Sequence, residues 1–407
     1  KKEVQILFFK FFKMSDSKIY ELRNFFDLDD YLKEEEKLIR NTIRDFVEKE
    51  ILPYIGEWWL KGEFPKHLIP QMAELGLFGP TIPEEYGGAG LSYVAYGLMM
   101  QELEYGDSGI RSFCSVQSSL AMYSIFTFGS EEQKRKYLPE MAKGKLIGSF
   151  GLTEPNAGSD PASMETRCKK DGNTWIINGR KMWITNGTIS DLSIIWAKDE
   201  NEKVQGFIVE KGTKGFTSRE IKTKISLRAS DTSELILDEV KIPESQRLPN
   251  TEGLKSALMP LNEARYGITW GCVGAAWACF EEAYKHALVR EQFKKPIASF
   301  QITQKKLVDM FEKIWKAQLL CYHLGRMKEK GKARYIHVSL VKRNNTRVAL
   351  EVAREARTIL GAYGITTEYN SLRHANNMES VHTYEGTYEI HTLIVGRYLT
   401  DIDAIDR

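Results

Sequence analysis

The spacing of apolar residues divides the chain into two helical regions with a strand-rich region between them. From about Leu32 to Ala142, apolar residues recur at steps of three and four, as they do at Leu38, Ile39, Ile43, Phe46 and Val47. This spacing predicts amphipathic helices. Pro53 is expected to end the first of them. The capping box Ser130-Glu131-Glu132-Gln133 is expected to open a later helix that stops near Pro139.

From about Gly148 to Pro243 the pattern changes to short apolar runs separated by turn residues. The runs Trp175–Ile177 and Lys181–Thr185 flank Asn178-Gly179, a sequence that predicts a two-residue hairpin turn. Four further runs also predict strands, namely Leu192–Ala197, Gly206–Val209, Phe216–Ile221 and Glu234–Ile242. Together these runs indicate a compact antiparallel β domain.

Helical spacing returns from about Gly253, for example at Leu307, Met310, Phe311, Ile314 and Leu319. Long apolar helices of this kind usually pack against each other as a bundle. We therefore predict an α+β fold with four parts: an N-terminal extension over 1–31, a helical domain over 32–147, an antiparallel β domain over 148–246 and a helical bundle over 247–407.

The composition excludes several classes of function. The 407 residues carry 57 basic and 55 acidic side chains, a net charge of +2, which argues against nucleic acid as the main partner. No apolar run reaches the roughly 18–20 residues that span a bilayer, so no membrane partner is expected. The five cysteines are scattered and form no CxxC pair, so neither a disulfide framework nor a metal site is predicted.

Residues 1–13 precede a more ordinary opening at Met14. Val4–Phe9 are apolar and flanked by lysines, but this run is too short for a signal peptide. We interpret the segment as an over-extended start or a frayed tail. An organelle-targeting segment is the alternative, and Glu3 argues against it because such segments avoid acidic residues.

Two polar stretches in the strand-rich region have residue types suited to ligand binding. In Phe150–Asp160, hydroxyls, an amide and two glycines offer hydrogen-bonding groups, although a plain connecting loop has the same composition. In Met182–Gly187, the indole of Trp183 stands near the hydroxyl of Thr185 at a strand end and could cover one face of an aromatic cofactor. A tryptophan in the core is the alternative.

A third stretch, Thr383–His391, contains a candidate general base. Glu385 stands beside Gly386 among aromatic and apolar residues. A glycine lets a ligand approach the backbone, and an apolar pocket would raise the pKa of Glu385 towards the working pH of an enzyme. An ordinary surface glutamate in a turn is the alternative.

Taken together, these three stretches make the sequence resemble the acyl-CoA dehydrogenase family. Arg290-Glu291-Gln292-Phe293, Gln301 and Leu360-Gly361-Ala362-Tyr363-Gly364 also fit the family pattern. The resemblance runs from about Leu32 to the end of the chain. It implies a helical domain, a β domain and a four-helix bundle in that order, which agrees with the periodicity.

Within the family, the stretch Glu102–Leu120 is most similar to the glutaryl-CoA dehydrogenase subfamily, as are Ser226–Ser230 and Ala264–Ile268. A dicarboxylic acyl chain has a free carboxylate at its far end, and a guanidinium is the fitting partner for that charge. Arg111 is the candidate. If the segment is one helix, Ser115 lies one turn later and Glu104 two turns earlier, near one face. A surface pair between Asp107 and Arg111 is the alternative.

The resemblance implies FAD as cofactor and assigns roles to individual residues. Glu385 would be the catalytic base, since Ala264 stands where some relatives place theirs, and Glu263 beside it is the rival. The distal carboxylate would be held by Arg111 and Ser115 and tuned by Glu104. Other implied substrate or CoA contacts are Ser112, Ser159, Asn262, Arg265, Tyr384 and Gly386. Implied flavin-ring contacts are Phe150, Leu152, Thr153, Trp183, Ile184 and Thr185. Implied pyrophosphate contacts are Thr387 and Glu389, and implied contacts to the flavin of a neighbouring subunit are Arg290, Phe293, Gln301 and Gly361.

The implied activity is oxidation of glutaryl-CoA with loss of CO2, giving crotonyl-CoA. The implied partners are an acyl-CoA substrate, an electron-transfer flavoprotein and further copies of the chain in a homotetramer. The expected compartment is the cytoplasm of a bacterium or the mitochondrial matrix of a eukaryote. Alternatives are dehydrogenation of glutaryl-CoA without decarboxylation, dehydrogenation of another short-chain acyl-CoA, an acyl-CoA oxidase, and a flavin-free binding paralogue.

Overall fold

The computed structural model describes residues 17–405. The interpretation of residues 1–13 as a tail or a targeting segment lies outside the described residues. Residues 17–31 pack on the C-terminal helices: Trp315 Nε1 donates to the Leu22 carbonyl at 3.1 Å, and Arg326 Nη2 donates to the Tyr31 carbonyl at 3.0 Å. Over the range 17–405, no helix combines the length and apolar character needed to cross a membrane.

The N-terminal helices are α1 (Glu34–Phe46), α2 (Ile55–Lys61), α3 (Ile69–Glu74), α4 (Tyr93–Gly106), α5 (Ser108–Ser115), α6 (Tyr123–Phe128) and α7 (Glu131–Ala142). The predicted capping box is confirmed, because Ser130 Oγ accepts from the Gln133 N–H at 3.2 Å and the Gln133 side chain accepts from Ser130 N–H at 2.9 Å. The predicted stop near Pro139 is wrong. Helix α7 runs on to Ala142, and the Pro139 carbonyl still accepts from the Lys143 N–H at 3.2 Å.

The β strands are β1 (Gly148–Gly151), β2 (Arg167–Asp171), β3 (Thr174–Thr185), β4 (Leu192–Lys198), β5 (Val204–Glu210), β6 (Phe216–Glu220) and β7 (Thr232–Pro243). They form one sheet in the order β1-β4-β2-β3-β7-β6, with β5 also paired to β4. The pairings of β4 with β1 and with β2 are parallel and the rest are antiparallel. The sheet is therefore mixed, although antiparallel pairing dominates it.

The hairpin predicted at Asn178-Gly179 is wrong, because β3 continues straight through this dipeptide. Its pairing with β7 shifts register between Ile177 and Gly179, which is a β-bulge. The Asn178 amide bridges the bulge, donating to Glu239 Oε1 at 2.6 Å and accepting from the Glu239 N–H at 2.8 Å. The hairpin turn lies earlier, where Asp171 pairs with Thr174 across a two-residue loop that contains Gly172 at φ 60°.

The C-terminal helices are α8 (Leu254–Val289), α9 (Gln301–Glu329), α10 (Tyr335–Leu360), α11 (Ser371–Thr383) and α12 (Tyr388–Thr400), with a small hairpin of β8 (Glu291–Gln292) and β9 (Lys295–Pro296) between α8 and α9. Met310 and Ile314 are buried as their spacing predicted. Leu319 on the same helix is 43% exposed and Leu38 on α1 is 67% exposed, so the buried stripes are narrower than the spacing suggested.

The two helical regions share one hydrophobic core, while the β sheet has a second one of its own. Helix α4 crosses α8 at close range because glycines stand at the crossing. A Cβ on Gly274 would lie 1.8 Å from the Gln101 carbonyl oxygen, and a Cβ on Gly97 would lie 2.3 Å from the Trp270 ring. This close crossing brings α4, α5 and α8 together beside the segment that joins α11 to α12.

Candidate active site

Arg111 is the centre of a buried polar cluster. Its side chain is 1% exposed, and its Nε donates to Glu104 Oε2 at 2.6 Å. Its Nη2 donates to the hydroxyl of Tyr384, which also lies 3.3 Å from Ser112 Oγ. Burial alone would lower the pKa of Arg111, but the nearby groups Glu104, Tyr384 and Glu385 together outweigh burial and hold this pKa well above its usual value. Arg111 is therefore a fixed cation inside the protein.

Glu104 and Arg111 do not share one continuous helix face as the spacing predicted. The chain breaks at Asp107, whose backbone is extended and whose carboxylate accepts from the Gly109 N–H at 2.7 Å. Asp107 is thus the N-cap of α5, and Glu104 reaches Arg111 from the end of α4. Gly271 of α8 makes room for this contact, because a Cβ there would lie 1.8 Å from Glu104 Oε2.

The alternative of a surface pair between Asp107 and Arg111 is wrong. Both residues are buried, and the carboxylate of Asp107 is held by α11 instead, where Arg373 Nη1 and Asn377 Nδ2 donate to it. The Asn377 contact is 2.8 Å long. The same carboxylate therefore caps the helix that carries Arg111 and binds the helix that leads to Tyr384.

Glu385 lies in the short segment between α11 and α12, beside this cluster. Its φ is 52°, a left-handed conformation that is uncommon for a residue with a side chain. Its Oε2 is buried and makes no hydrogen bond with another described residue. Burial raises the pKa of Glu385 above the usual carboxyl range, and the neighbouring cations Arg111, Lys342 and Arg265 oppose that rise only in part. The alternative of an ordinary surface glutamate is wrong.

The main-chain carbonyls around Glu385 are bound by two basic side chains. Arg265 Nε donates to the Glu385 carbonyl at 2.7 Å. Lys342 Nζ donates to the Tyr384 carbonyl at 2.6 Å and to the Gly386 carbonyl at 2.7 Å. Lys342 was not among the predicted site residues. The available signal was a lysine one turn from Val338 and Thr346 on α10, on a helix face whose residues are buried.

Further predicted substrate contacts are only partly assembled in this chain. Arg265 Nη1 lies 3.3 Å from Asn262 Oδ1. Gly386 has φ 94°, and a Cβ there would lie 2.9 Å from the His391 ring. Ser159 is exposed, and no hydrogen bond among residues 17–405 joins it to Arg265 or Gly386. Ser115 is buried on α5, and its Oγ has no hydrogen-bond partner among the described residues.

The rival base, Glu263, is engaged elsewhere. Lys328 Nζ donates to Glu263 Oε1 at 2.7 Å, and this ammonium also lies 4.2 Å from the centre of the Tyr93 ring. Ala264, which the resemblance matches to the base position of some relatives, is fully buried. Among these candidates, Glu385 is the carboxyl group with a buried oxygen that has no partner.

Most of the residues predicted to contact the flavin ring meet at the junction of β1 and β3. Phe150 and Leu152 are buried, and the Thr153 carbonyl accepts from the Met182 N–H at 2.8 Å. A buried lysine, Lys181, supports this junction by donating to the Leu152 carbonyl at 3.1 Å and to Glu154 Oε1 at 2.7 Å. Burial lowers the pKa of Lys181 to about 8.

Trp183 occupies an unusual position on β3. Its φ is 63° and its side chain is 59% exposed, so the alternative of a core tryptophan is wrong. The register of β3 against β7 shifts between Lys181 and Ile184, which turns the indole out of the sheet. Ile184 is buried and Thr185 is half-buried at the end of the same strand. An exposed indole next to Thr153 fits a flat aromatic ligand.

The remaining predicted cofactor residues fall into two groups. Thr387 caps α12, its Oγ1 accepting from the Ile390 N–H at 3.2 Å, and Glu389 lies in the first turn of the same helix. The other group lies near the β8–β9 hairpin. Phe293 in this hairpin is 88% exposed, and Gln301 begins α9. The guanidinium of Arg290 lies 5.9 Å from the centre of the Tyr363 ring, and Tyr363 is two residues after Gly361. No hydrogen bond or ring contact described for this second group joins it to Trp183 or Glu385.

Comparisons with known proteins agree with this architecture. Profiles of the acyl-CoA dehydrogenase N-terminal, middle and C-terminal domains match residues 33–145, 149–240 and 251–400. An acyl-CoA dehydrogenase from Bacillus subtilis is 36% identical over 374 residues, which is 91% of this chain and 99% of the relative.

Two solved structures of glutaryl-CoA dehydrogenase from Mycobacterium smegmatis are similar over nearly the whole chain. The first is 52% identical with a TM-score of 0.93, covering 95% of this chain and 99% of that one. The second is in complex with FADH2 and is 49% identical with a TM-score of 0.92, covering 94% of this chain and 98% of that one. The chain therefore belongs to the acyl-CoA dehydrogenase family of enzymes.

Proposed function

We propose that the protein is an FAD-dependent enzyme that oxidises glutaryl-CoA and releases CO2, giving crotonyl-CoA. The observation that carries the proposal is the contact between Arg111 and Tyr384, the residue that directly precedes Glu385. A fixed cation and a candidate base thus stand in one wall of the site. A substrate with a thioester at one end and a carboxylate at the other fits this arrangement.

The surroundings of Arg111 are suited to hold a carboxylate without binding it too tightly. Glu104 already neutralises part of the guanidinium charge through Nε. A distal carboxylate would still find Nη groups and the hydroxyls of Ser112, Ser115 and Tyr384 as donors. Because only stronger binding of the transition state accelerates a reaction, a partly neutralised cation suits a carboxylate that must later leave.

Glu385 is proposed to move the protons of the reaction. As a carboxylate it removes a proton from the α-carbon of the acyl thioester, and a raised pKa makes it a stronger base than an ordinary glutamate. The backbone N–H of Glu385 is proposed to donate to the thioester oxygen, which stabilises the enolate charge. After oxidation, the bond to the distal carboxyl group breaks and its electron pair delocalises into the thioester. Protonated Glu385 then returns a proton to the γ-carbon.

The chain fits FAD at the junction of β1 and β3. Trp183, exposed and turned out of the sheet, would cover the flavin ring, and Thr153 would contact its edge. FAD, when bound, supplies the acceptor for the hydride that leaves the β-carbon. Arg290, Phe293, Gln301 and Gly361 lie apart from this junction, and we propose that they serve the cofactor of a neighbouring subunit in a homotetramer.

Re-oxidation of the flavin is proposed to require an electron-transfer flavoprotein. The compartment follows from the source: the cytoplasm for a bacterial chain and the mitochondrial matrix for a eukaryotic one. Dehydrogenation without decarboxylation would use the same Arg111 and Glu385, and the acyl product distinguishes the two reactions.

The role of Glu385 is tested by Glu385→Gln. The variant should keep its visible flavin absorbance, because the amide has nearly the shape of the carboxyl group. Its rate of flavin reduction by glutaryl-CoA should be at least about 10³-fold lower than that of the parent, since an amide cannot accept the α-proton. Stopped-flow absorbance under anaerobic conditions measures both quantities. Flavin reduction at the parent rate would show that another group is the base.

A further inference from the structure

We propose that Lys342 is a positioning residue for this reaction, which binds the carbonyls on both sides of Glu385 and so holds the base and its backbone N–H towards the substrate. The inference rests on the proposed role of Glu385. Lys342 belongs to α10, is 1% exposed, and donates from one nitrogen to Tyr384 O at 2.6 Å and to Gly386 O at 2.7 Å.

The geometry of the segment shows what these contacts achieve. The carbonyls of Tyr384, Glu385 and Gly386 are all bound by basic side chains, the middle one by Arg265 at 2.7 Å. Among the described residues, no hydrogen bond uses the backbone N–H of Glu385. The carbonyls are thus satisfied from the protein side, and that N–H is left for a ligand.

The conformation of Glu385 needs such support. A φ of 52° at a residue with a Cβ is disfavoured and persists only where the surroundings hold it. Gly386 follows at φ 94°, and the His391 ring fills the space that a Cβ at that position would need. The hydrogen bonds of Lys342 connect both ends of this unfavourable segment to helix α10. Loss of these hydrogen bonds should let Glu385 move by a fraction of an ångström or more.

Lys342 also acts on Glu385 through charge. Burial lowers the pKa of Lys342 to about 7, and the Glu385 carboxylate works against that decrease. The cation in turn lowers the pKa of Glu385, so its removal should move the ionisation of Glu385 to higher pH. The other titratable or charged groups that act on these two residues are Arg111, Arg265, Cys272, Glu104, His382 and His391.

The test isolates proton removal from oxidation. The probe is a glutaryl-CoA analogue with sulfur in place of the β-carbon, which can lose an α-proton but cannot lose a hydride. Holoenzyme is incubated with this analogue in D2O, and mass spectrometry follows deuterium entering the α-position per bound flavin. The variants are Lys342→Met, Lys342→Gln and Glu385→Gln. Lys224→Met is the control, because Lys224 is a half-buried lysine that likewise donates to two carbonyls, Leu227 O at 3.0 Å and Ser230 O at 2.7 Å.

Lys342→Met should slow exchange about 100-fold, as expected for a misplaced catalytic group, and should shift its rising pH limb upward. The exchange rate of Lys342→Gln should lie between those of Lys342→Met and the parent, because the amide retains hydrogen-bond donors but carries no charge. Lys224→Met should exchange within about twofold of the parent. Exchange by Lys342→Met at the parent rate, with the parent pH profile, would overturn the inference. Equal losses in Lys342→Met and Lys224→Met would overturn it as well. Parent-like exchange by Glu385→Gln would instead refute the base assignment.

Discussion

Arg111 and Tyr384 are in direct contact: the guanidinium of one donates to the hydroxyl of the other, although 272 residues lie between them in the sequence. Because Tyr384 precedes Glu385, this contact fixes the separation between the cation and the carboxyl group. Under the proposed function, an acyl chain that places its carboxylate at Arg111 should be held with its α-carbon near Glu385. The site should then select acyl chains by their length.

Arg111→Gln should change substrate preference. Loss of the cation should lower kcat/KM for glutaryl-CoA by at least about 30-fold, which corresponds to roughly 2 kcal/mol for an unpaired buried carboxylate. The kcat/KM for butyryl-CoA, which has no distal charge, should fall much less or rise. Steady-state kinetics with both substrates measures the preference.

Arg44→Gln provides the control for this experiment, because Arg44 also pairs with a buried glutamate of α4, Glu102, but outside the site. That variant should keep the parent ratio of the two kcat/KM values. Equal losses on glutaryl-CoA and butyryl-CoA in Arg111→Gln would mean that Arg111 only supports the fold.

The pH dependence of flavin reduction should follow the ionisation of Glu385. A general base works in its deprotonated form, so the rate should rise with pH through the pKa of this group. Burial raises that pKa, so the rising limb should lie above the range of an exposed glutamate. Stopped-flow reduction by glutaryl-CoA from pH 5 upwards measures it. A rate that is already constant at pH 5 would contradict the assignment of a buried base.

The pair of Asp107 and Arg373 should be a strong contributor to stability. Arg373→Met leaves a buried carboxylate without its cation, and such changes cost about 3–5 kcal/mol. The loss should appear as a clear decrease in the urea concentration at the midpoint of unfolding. Glu57→Gln removes a pair with Lys61 in which both side chains are more than half exposed, and should change the free energy of unfolding by under about 1 kcal/mol. Similar midpoints for the two variants would refute the predicted difference.

Much of the fold could be predicted from periodicity, because helices and strands repeat their buried positions at different steps. Turn-forming dipeptides predicted the positions of the strand connections less well. Asn178-Gly179 has the composition of a hairpin turn, yet β3 continues through it, because the long partner strand β7 absorbs the extra residue as a bulge. The hairpin turn is formed instead by Gly172-Asn173, a dipeptide that predicts such a turn less strongly than Asn-Gly.

The sequence allowed the residues of the site to be predicted, but not how their side chains are arranged in space. Spacing placed Glu104 and Arg111 on one helix face, but Asp107 caps a new helix between them, and the sequence alone does not show whether such a residue caps a helix or pairs with a cation. Lys342 was missed because its role depends on carbonyls 42 and 44 positions later in the chain. Contacts of that range follow from packing and leave no local pattern.

Trp183 should report on cofactor binding. Trp183→Phe removes the exposed indole that is proposed to cover the flavin ring, and the variant should retain less FAD after dialysis and show a shifted visible absorption band. Trp58→Phe changes a half-buried tryptophan of α2 outside the proposed cofactor site and should retain the parent amount of FAD. Unchanged FAD content and spectrum in Trp183→Phe would place the cofactor elsewhere.

Gly386→Ala should impair the reaction without large effects elsewhere. An alanine at this position would have to adopt φ 94°, which is unfavourable for a residue with a side chain. Its Cβ would also lie 2.9 Å from the His391 ring, so the segment that carries Glu385 must shift. We expect flavin reduction to slow by about 10- to 100-fold. Gly396→Ala, in α12 at a position where an added Cβ would meet no atom within 4 Å, should keep the parent rate. A parent rate in Gly386→Ala would show that the segment tolerates the displacement.

The central claim is tested most directly by mixing the purified holoenzyme with glutaryl-CoA without oxygen and identifying the acyl product by mass. We predict bleaching of the visible flavin band with formation of crotonyl-CoA and CO2. Bleaching with glutaconyl-CoA as the only product would retain the dehydrogenase and contradict the decarboxylation. No bleaching with glutaryl-CoA, in a preparation that bleaches with butyryl-CoA, would contradict the assignment of Arg111 as the site of a distal carboxylate.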